Sequence, residues 1–486
     1  MSWPDHRSVF YALGTFLSGL AALMLLPALA DFVIADANWT AFLASATVTG
    51  GVGGATILAF RTTHKPTIGR REGFLLITLS WIVCCLFAAL PFMLSRERLV
   101  FADAFFESTS GLTTTGSTII TDLEGESHGI LLWRALLHWV GGVGIIVIAV
   151  MLLPYLRVGG MQLFRAESSD QSDKIRARVS EMTWEMFSIY AVLTVLCAIA
   201  LTMAGMPLFD SVCHAMSIIA TGGFANKDAS IGFYQSASIE WITMLFTLIG
   251  GMTFVLLARA VWHGDWRGIM RDTQTRWYFG YMLICTILVT LWQVLVNDRS
   301  LEPAFRSSAF AVVSLGTTAG FVAEDYSRWG PFPEALLLVL FFVGGCTGST
   351  TGAIKVFRFC ILGSFAKWQL RSLIHQHRVL LPTYNGVPVS DDVVRSVIGF
   401  IVLYLFAFAI LGAAVASFGV DMTTAFSGVA QALGNVGPGF GTTIGPAGNF
   451  STLPDGAKWI MSAAMLLGRL ELLAILVLFT PTFWRG

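Results

Sequence analysis

Residues 110–118 read SGLTTTGST, and the Thr114-Thr115-Gly116 at its centre has three counterparts further along the chain. Taking a glycine with the two residues before it gives Thr221-Gly222-Gly223, Thr318-Ala319-Gly320 and Asn435-Val436-Gly437. Each triplet closes a short half-polar segment set between two long apolar runs. At 1.5 Å per residue, about 12 residues of helix make roughly 18 Å, half a bilayer, so each short segment is expected to enter from one face and turn back. Thirteen residues before the four glycines stand Asp103, Asp210, Ser307 and Thr424. All are N-capping types and are expected to open the four half-helices. The glycines recur about every hundred residues, too long a period for a solenoid and right for a helix–half-helix–helix module.

Working outward, apolar runs at 73–95, 183–205, 277–297 and 394–419 precede the triplets, and runs at 130–154, 238–262, 333–373 and 457–480 follow them. All are long enough to span a membrane. Two more runs, 9–33 and 40–60, come first. The first ends in Ala28-Leu29-Ala30, which resembles a signal-peptidase site, but it exceeds a secretory apolar core of about 7–15 residues, so an uncleaved helix is expected. The expected fold is an all-α polytopic membrane protein: four helix–pore-loop–helix repeats around one pseudo-fourfold pore, plus two extra N-terminal transmembrane helices. The boundaries read 1–66 for those two helices, then 67–160, 161–270, 271–380 and 381–486 for the repeats. Composition agrees, since 55% hydrophobic against 12% charged residues leaves too little polar surface for a soluble chain of 486 residues.

Thirty basic residues balance thirty acidic ones, which argues against a nucleic-acid partner. Laid over these spans with both termini on one side, Lys and Arg crowd that side and Asp and Glu the other. By the positive-inside rule the termini are cytoplasmic. Asp122, Glu124, Glu126, Glu324 and Asp325 then follow the first and third of the triplet glycines on the outer face, where they would concentrate cations. The seven cysteines show no CxxC or Cys/His spacing and read as free buried thiols. No GxxxxGK[ST], HExxH or GxSxG motif occurs, so no organic cofactor and no enzymatic activity are expected in this chain. His375 and His377 lie in a basic loop and read as a solvated face.

Non-helical backbone at membrane depth is tolerated only where it lines water or coordinates something. Four such turns around an axis present rings of carbonyl oxygens, which replace the hydration shell of a cation, and the half-helices point their negative dipole ends at the same place. The competing reading is that these are packing glycines in ordinary helices.

Gly344-Gly345-Cys346-Thr347-Gly348-Ser349-Thr350-Thr351-Gly352 interrupts a run twice the length of a span. Four glycines and four hydroxyl residues in nine break the helix, and a polar loop after the third filter turn is expected to act as a gate below the ion path, with a packing kink as the alternative. Arg469 lies deep in the last apolar run and, as an ionisable group in the membrane, is expected to face the pore as a barrier to cations. A structural Arg–carboxylate pair is the alternative. Glu471 falls on the opposite side of that helix and is expected to satisfy a neighbour such as His138.

The strings SGLTTTGST (110–118), ATGGFANKDASIG (220–232), GTTAGFVAED (316–325), GGCTGSTTGAIKV (344–356), GNVGPGFGT (434–442) and LGRLELLAILVLFTPTFWR (467–485) together resemble the TrkH/TrkG potassium-uptake proteins of bacteria, in the Trk/Ktr/HKT superfamily. The resemblance implies a K⁺ pore in a single polypeptide, K⁺ held at the four triplets, a gating loop, a pore arginine, homodimer formation and residence in the bacterial inner membrane with its lipid. It also implies a cytosolic TrkA-type ring that binds NAD(H), ATP or ADP. Candidate docking loops for that ring are Arg157–Arg178, Arg259–Arg276 and Lys355–Arg378. Serine at the first filter glycine accompanies sodium transport in plant members, so Gly116 favours K⁺. An ion-coupled carrier is the alternative, although carriers usually show inverted repeats with two interrupted spans. A membrane-embedded enzyme would need clustered carboxylates, His or Cys in the bilayer, and only Arg469 and Glu471 read as deep.

Overall fold

The computed structural model describes residues 6–61, 69–96, 98–156, 172–374 and 381–485. Of the three docking loops, residues 157–171 and 375–380 lie outside the described residues, as do His375 and His377. Among the described residues, seven helices are long and apolar enough to cross a membrane: His6–Val33, Trp39–Ala59, Arg71–Leu94, His128–Ile146, Met182–Met203, Thr273–Leu295 and Asp391–Ala416. Their outward faces carry large apolar side chains such as Leu58, Val195, Leu295 and Ile410, as contact with lipid tails requires.

Two further passages are bent pairs. Ala237–Gly250 turns by 96° into Phe254–His263, and Asp455–Arg469 turns by 101° into Leu473–Phe479. Pro331–Leu340 and Val356–Ile374 flank the glycine-rich loop. The runs 238–262 and 457–480, expected as continuous spans, are therefore broken as well. In the first, the Gly250 and Gly251 carbonyls accept N–H groups of Thr350 (3.4 Å) and Cys346 (2.9 Å) from the glycine-rich loop. In the second, Glu471 and Leu472 take positive φ of 57° and 33°, which no α-helix contains.

The four short helices are Phe101–Leu112, Leu208–Ile219, Leu301–Gly316 and Met422–Gly434. Their expected caps are misassigned by a few residues. The first two start after Val100 and Pro207, the third after Ser300, and Asp421 caps the fourth by accepting the Thr424 N–H. Asp103, Asp210 and Thr424 are the third residues of their helices, whereas Ser307 lies in the interior because the third helix begins a turn earlier. An acid in the first turn still opposes the helix dipole. Asp103 pairs with the buried Lys458 at 2.6 Å, and Asp210 accepts from Asn226 and Tyr234, both at 2.8 Å.

The first two helices pack as a hairpin through glycines: a Cβ on Gly14 would fall 2.8 Å from the Gly53 carbonyl oxygen, and one on Gly53 2.8 Å from Ser18 Oγ. Small residues are what let backbones approach this closely in lipid. Buried Asp31 ties the hairpin to the rest by accepting Ser127 Oγ at 3.2 Å and the Gly129 N–H at 2.5 Å, where the helix His128–Leu156 begins.

A ring of four turns above an interrupted helix

Each short helix ends in the same way. Thr115, Gly222, Ala319 and Val436 donate their N–H to the carbonyls of Ser110, Ser217, Ser314 and Gln431, at 2.8–2.9 Å, five residues back. Thr114, Thr221, Thr318 and Asn435 donate to carbonyls three residues back, at 3.0–3.3 Å. This pair of bonds is the Schellman C-cap, and its left-handed position is occupied by Thr114 (φ 53°), Thr221 (51°), Thr318 (58°) and Asn435 (53°). Asn is at home there; a threonine costs about 1–2 kcal/mol and persists because the cap and the packing around it fix the turn. Two residues on, Gly116 (88°), Gly223 (90°), Gly320 (72°) and Gly437 (111°) again take positive φ. The chain thus reverses hand twice in three residues.

The four turns close on each other. A Cβ on Gly116 would collide with the Gly222 carbonyl oxygen, one on Gly223 with that of Ala319, and one on Gly320 with that of Val436. A Cβ on Gly437 would sit 2.8 Å from the Thr115 carbonyl oxygen. Each glycine therefore faces the carbonyl preceding the glycine of the next turn, and the fourth returns to the first. Thr113, Thr115, Thr221, Thr318 and Asn435 are buried around this ring, and Asn435 Nδ2 bonds Thr115 Oγ1 at 3.0 Å. All four glycines also line one open vestibule of about 510 Å³, with Arg134, Lys227 and Asp228 in its wall.

The glycine-rich loop lies against the other end of the ring. Its Gly352 N–H donates to Thr318 Oγ1 at 2.8 Å, and Thr221 Oγ1 bonds Thr350 Oγ1 at 3.1 Å. A Cβ on Gly352 would meet the Gly434 carbonyl and the Asn435 side chain. The loop is held from every side. Phe254 N donates to Gly348 O at 3.0 Å, Thr347 N to Gln274 at 2.5 Å, and Tyr281 OH to both Gly316 O and Gly344 O at 3.0 Å. Its partners include the break after Gly250, so two interrupted passages meet at one point.

Arg469 is the last residue of its helix segment and is buried. Its guanidinium donates to Thr350 O at 2.7 Å and Gly141 O at 3.2 Å. A Cβ on Gly141 would in turn touch Leu112 O and Thr114. Arg469 therefore spans from the glycine-rich loop to the first turn. Among the described residues no carboxylate lies within ion-pair distance of it, which removes the Arg–carboxylate alternative. Glu471 pairs with Arg358 at 2.6 Å, not with His138, which bonds Ser217 Oγ at 2.9 Å. The helix break swings Glu471 away from the direction a continuous helix would give it. Lys355, the expected start of the third docking loop, is instead buried and donates to Thr351 O and at 3.1 Å to Thr351 Oγ1. A lysine in GAIKV, just past a polar loop, was the available signal.

On the vestibule side Asp122, Glu124 and Asp228 are exposed and bring their oxygens within 4.8 Å of one another. Partial loss of hydration at its carboxyl and then the neighbouring Glu124 and Asp122 raise Asp228 from the ordinary aspartate value, against the Leu123 N–H that it accepts at 3.2 Å. Asp228 was not among the expected acids. Glu324 and Asp325 are instead engaged by Arg299 at 2.9 Å and Arg328 at 3.0 Å.

These features define an all-α polytopic membrane protein with backbone carbonyls gathered on one axis above an interrupted helix. Residues 42–485 match the family described as TrkH, cation transport protein. The chain belongs to this family, which comprises transport proteins and not enzymes. It is 43% identical to the Trk system potassium uptake protein TrkI of Halomonas elongata, covering 96% of this chain and 94% of that one. It is 39% identical to TrkH of Salmonella typhimurium over 99% of each. The crystal structure of the potassium transporter TrkH from Vibrio parahaemolyticus superimposes with a TM-score of 0.91, at 35% identity, covering 99% of this chain and all of that one.

Proposed function

We propose that this protein is the pore-forming subunit of a potassium uptake system in the bacterial inner membrane, with both termini cytoplasmic. K⁺ sheds its water against the carbonyls of Thr114-Thr115-Gly116, Thr221-Gly222-Gly223, Thr318-Ala319-Gly320 and Asn435-Val436-Gly437, which form the selectivity filter of four pore repeats. The loop Gly344–Gly352 is the gate beneath it, and Arg469 adds a positive charge that lowers cation occupancy on the same path. The chain works as a homodimer, and a cytosolic TrkA-type ring that binds NAD(H), ATP or ADP moves the gate. The potassium uptake proteins among its relatives and the Trk system to which they belong support these assignments.

The observation that carries the reading is the closed cycle of glycine–carbonyl contacts. Four glycines that merely packed helices would have no reason to point each at the carbonyl before the next. In proteoliposomes holding the protein with and without its cytosolic partner, a K⁺ current with a reversal potential that follows the K⁺ gradient in the presence of Na⁺ is expected. Absence of cation current under every nucleotide, or a reversal potential indifferent to K⁺, would overturn the reading.

A further inference from the structure

The filter turns are not supported alike, and one junction between their exit strands uses an ion pair that is buried on both sides. Arg134, on the helix that follows the first turn, and Glu107, in the first short helix, are paired at 2.9 Å and are only 2% and 0% exposed. In eight other ion pairs at least one side chain is 20% exposed or more. Burying two charges is costly unless the remaining valences are filled, and here they are. Glu107 accepts Thr118 Oγ1 and the Ile119 N–H, each at 3.0 Å, and so holds the strand that leaves Gly116. Arg134 donates to the Ala225 carbonyl at 2.8 Å, two residues past Gly223, and its guanidinium lies 4.0 Å from the centre of the Phe224 ring. The other face of Phe224 stacks on His138 with centroids 4.2 Å apart.

One guanidinium therefore fixes the exit strands of the first and second turns relative to each other. At their exit strands the first and fourth turns meet through neutral groups, with Ser117 Oγ donating to Gly437 O at 2.8 Å and to Gln431 Oε1 at 3.0 Å, while the charged pair between these quarters, Lys458 with Asp103 at 2.6 Å, lies at the start of the first short helix with the acid 20% exposed. The second and third meet at their exit strands through backbone, with Gly232 N donating to Val322 O at 3.1 Å, and the ion pair between these quarters, Arg306 with Glu240 at 3.4 Å, is 26% and 14% exposed. Discrimination between K⁺ and the smaller Na⁺ requires either that the carbonyl ring resist contraction or that the number of carbonyls presented to the ion be maintained, and a fixed separation of adjacent turns serves both.

We propose that Arg134 and Glu107 are specificity-determining positioning residues, which set the K⁺/Na⁺ ratio by holding the first two filter turns at fixed separation without touching the ion. The inference rests on the filter reading above. Because the pair is neutral as a whole, it adds stiffness beside a cation path without adding a repelling charge. Phe224, held between Arg134 and His138, transmits the constraint to the residue directly after Gly223.

The test is the bi-ionic K⁺/Na⁺ reversal potential of the full-length protein in proteoliposomes, comparing wild type with Glu107→Gln, Arg134→Lys and Thr118→Val. Thr118→Val keeps the ion pair and removes one of its filter contacts, so it remains informative where the charge variants do not fold. A K⁺/Na⁺ permeability ratio several-fold below wild type in variants that elute as folded protein and still conduct is expected, with the smallest loss in Thr118→Val. Conducting variants with the wild-type ratio would overturn the inference. If the wild type itself fails to discriminate, the filter reading falls instead, so the two failures are distinguishable.

Discussion

Replacing Arg469 separates charge from anchoring. Its guanidinium lies 2.7 Å from Thr350 O, and Thr350 Oγ1 is 3.1 Å from the Thr221 hydroxyl at the inner end of the ring. On the proposed path a cation leaving the ring would therefore come within roughly 8 Å of the guanidinium. At an effective dielectric constant of about 20, two unit charges at ~8 Å repel by about 2 kcal/mol. Removing that term raises the rate over the barrier by roughly thirtyfold, at about 1.4 kcal/mol per factor of ten. Arg469→Gln keeps a donor for one carbonyl and loses the charge, so roughly that increase in K⁺ flux is expected from the electrostatic term. Arg469→Ala also releases the hold on Thr350, about 1.5–3 kcal/mol for a hydrogen bond to a charged group, and is expected to exceed it. Arg469→Lys keeps the charge and should stay within a few-fold of wild type. The assay is K⁺ flux into proteoliposomes, normalised to folded protein and run without the cytosolic partner. Wild-type flux in folded Arg469→Gln would refute the barrier, and a leak in Arg469→Lys equal to that of Arg469→Gln would make anchoring the controlling term.

Deleting Gly345–Ser349 removes the polar segment between two interrupted passages and should raise flux in the same assay; unchanged flux would rule the loop out as a gate. Glu471→Ala leaves Arg358 buried without its 2.6 Å partner, so a lower thermal midpoint is expected, with a loss smaller than the roughly 3–5 kcal/mol of a fully buried pair because Glu471 is 26% exposed, which calorimetry or a dye melt can measure. Substituting Asp122, Glu124 and Asp228 together by Asn or Gln should weaken uptake at ionic strength near 0.01 M and have little effect at 1 M, where the screening length has fallen from about 30 to 3 Å. The same acids give a pH dependence of definite sign. Because the Asp228 carboxyl is raised by partial loss of hydration and by Glu124, it gains a proton while ordinary carboxylates are still charged. The low-salt advantage of the wild type is therefore expected to decline on acidification sooner than a usual aspartate would dictate, and to be absent from the Asn/Gln variant at all pH values.

The residues that turn the chain were legible because a left-handed cap and a following glycine leave a short, strict signature. Thr114-Thr115-Gly116 and its counterparts carry it. The glycine-rich loop was equally visible, since Gly344–Gly352 is incompatible with helix. The other two breaks were not. Gly250-Gly251 and Gly468 are ordinary in membrane helices, and only the loop that donates to the Gly250 and Gly251 carbonyls turns them into a bend. The break at Glu471 redirects its side chain to Arg358, because 100° per residue holds only while the helix continues. The caps slipped for a different reason: equal spacing from the glycines does not give equal starts, since the helices begin after Val100, Pro207, Ser300 and Asp421, and of these four only Asp421 caps with its side chain. The Arg134 clamp had no sequence signal, for its two carboxylate and carbonyl partners come from separate turns.

The head-to-tail order of the glycine–carbonyl contacts has a consequence for how such a protein can change. In a channel assembled from identical subunits, one codon alters all four quarters of the filter at once. Here Gly116, Gly223, Gly320 and Gly437 are four separate codons, each answering to a different neighbour. A substitution at one alters a single seam and leaves three intact, so ion preference can drift in small genetic steps. The quarters can also diverge in what supports them, with a charged clamp at one seam and neutral bonds at another, while the cycle stays closed.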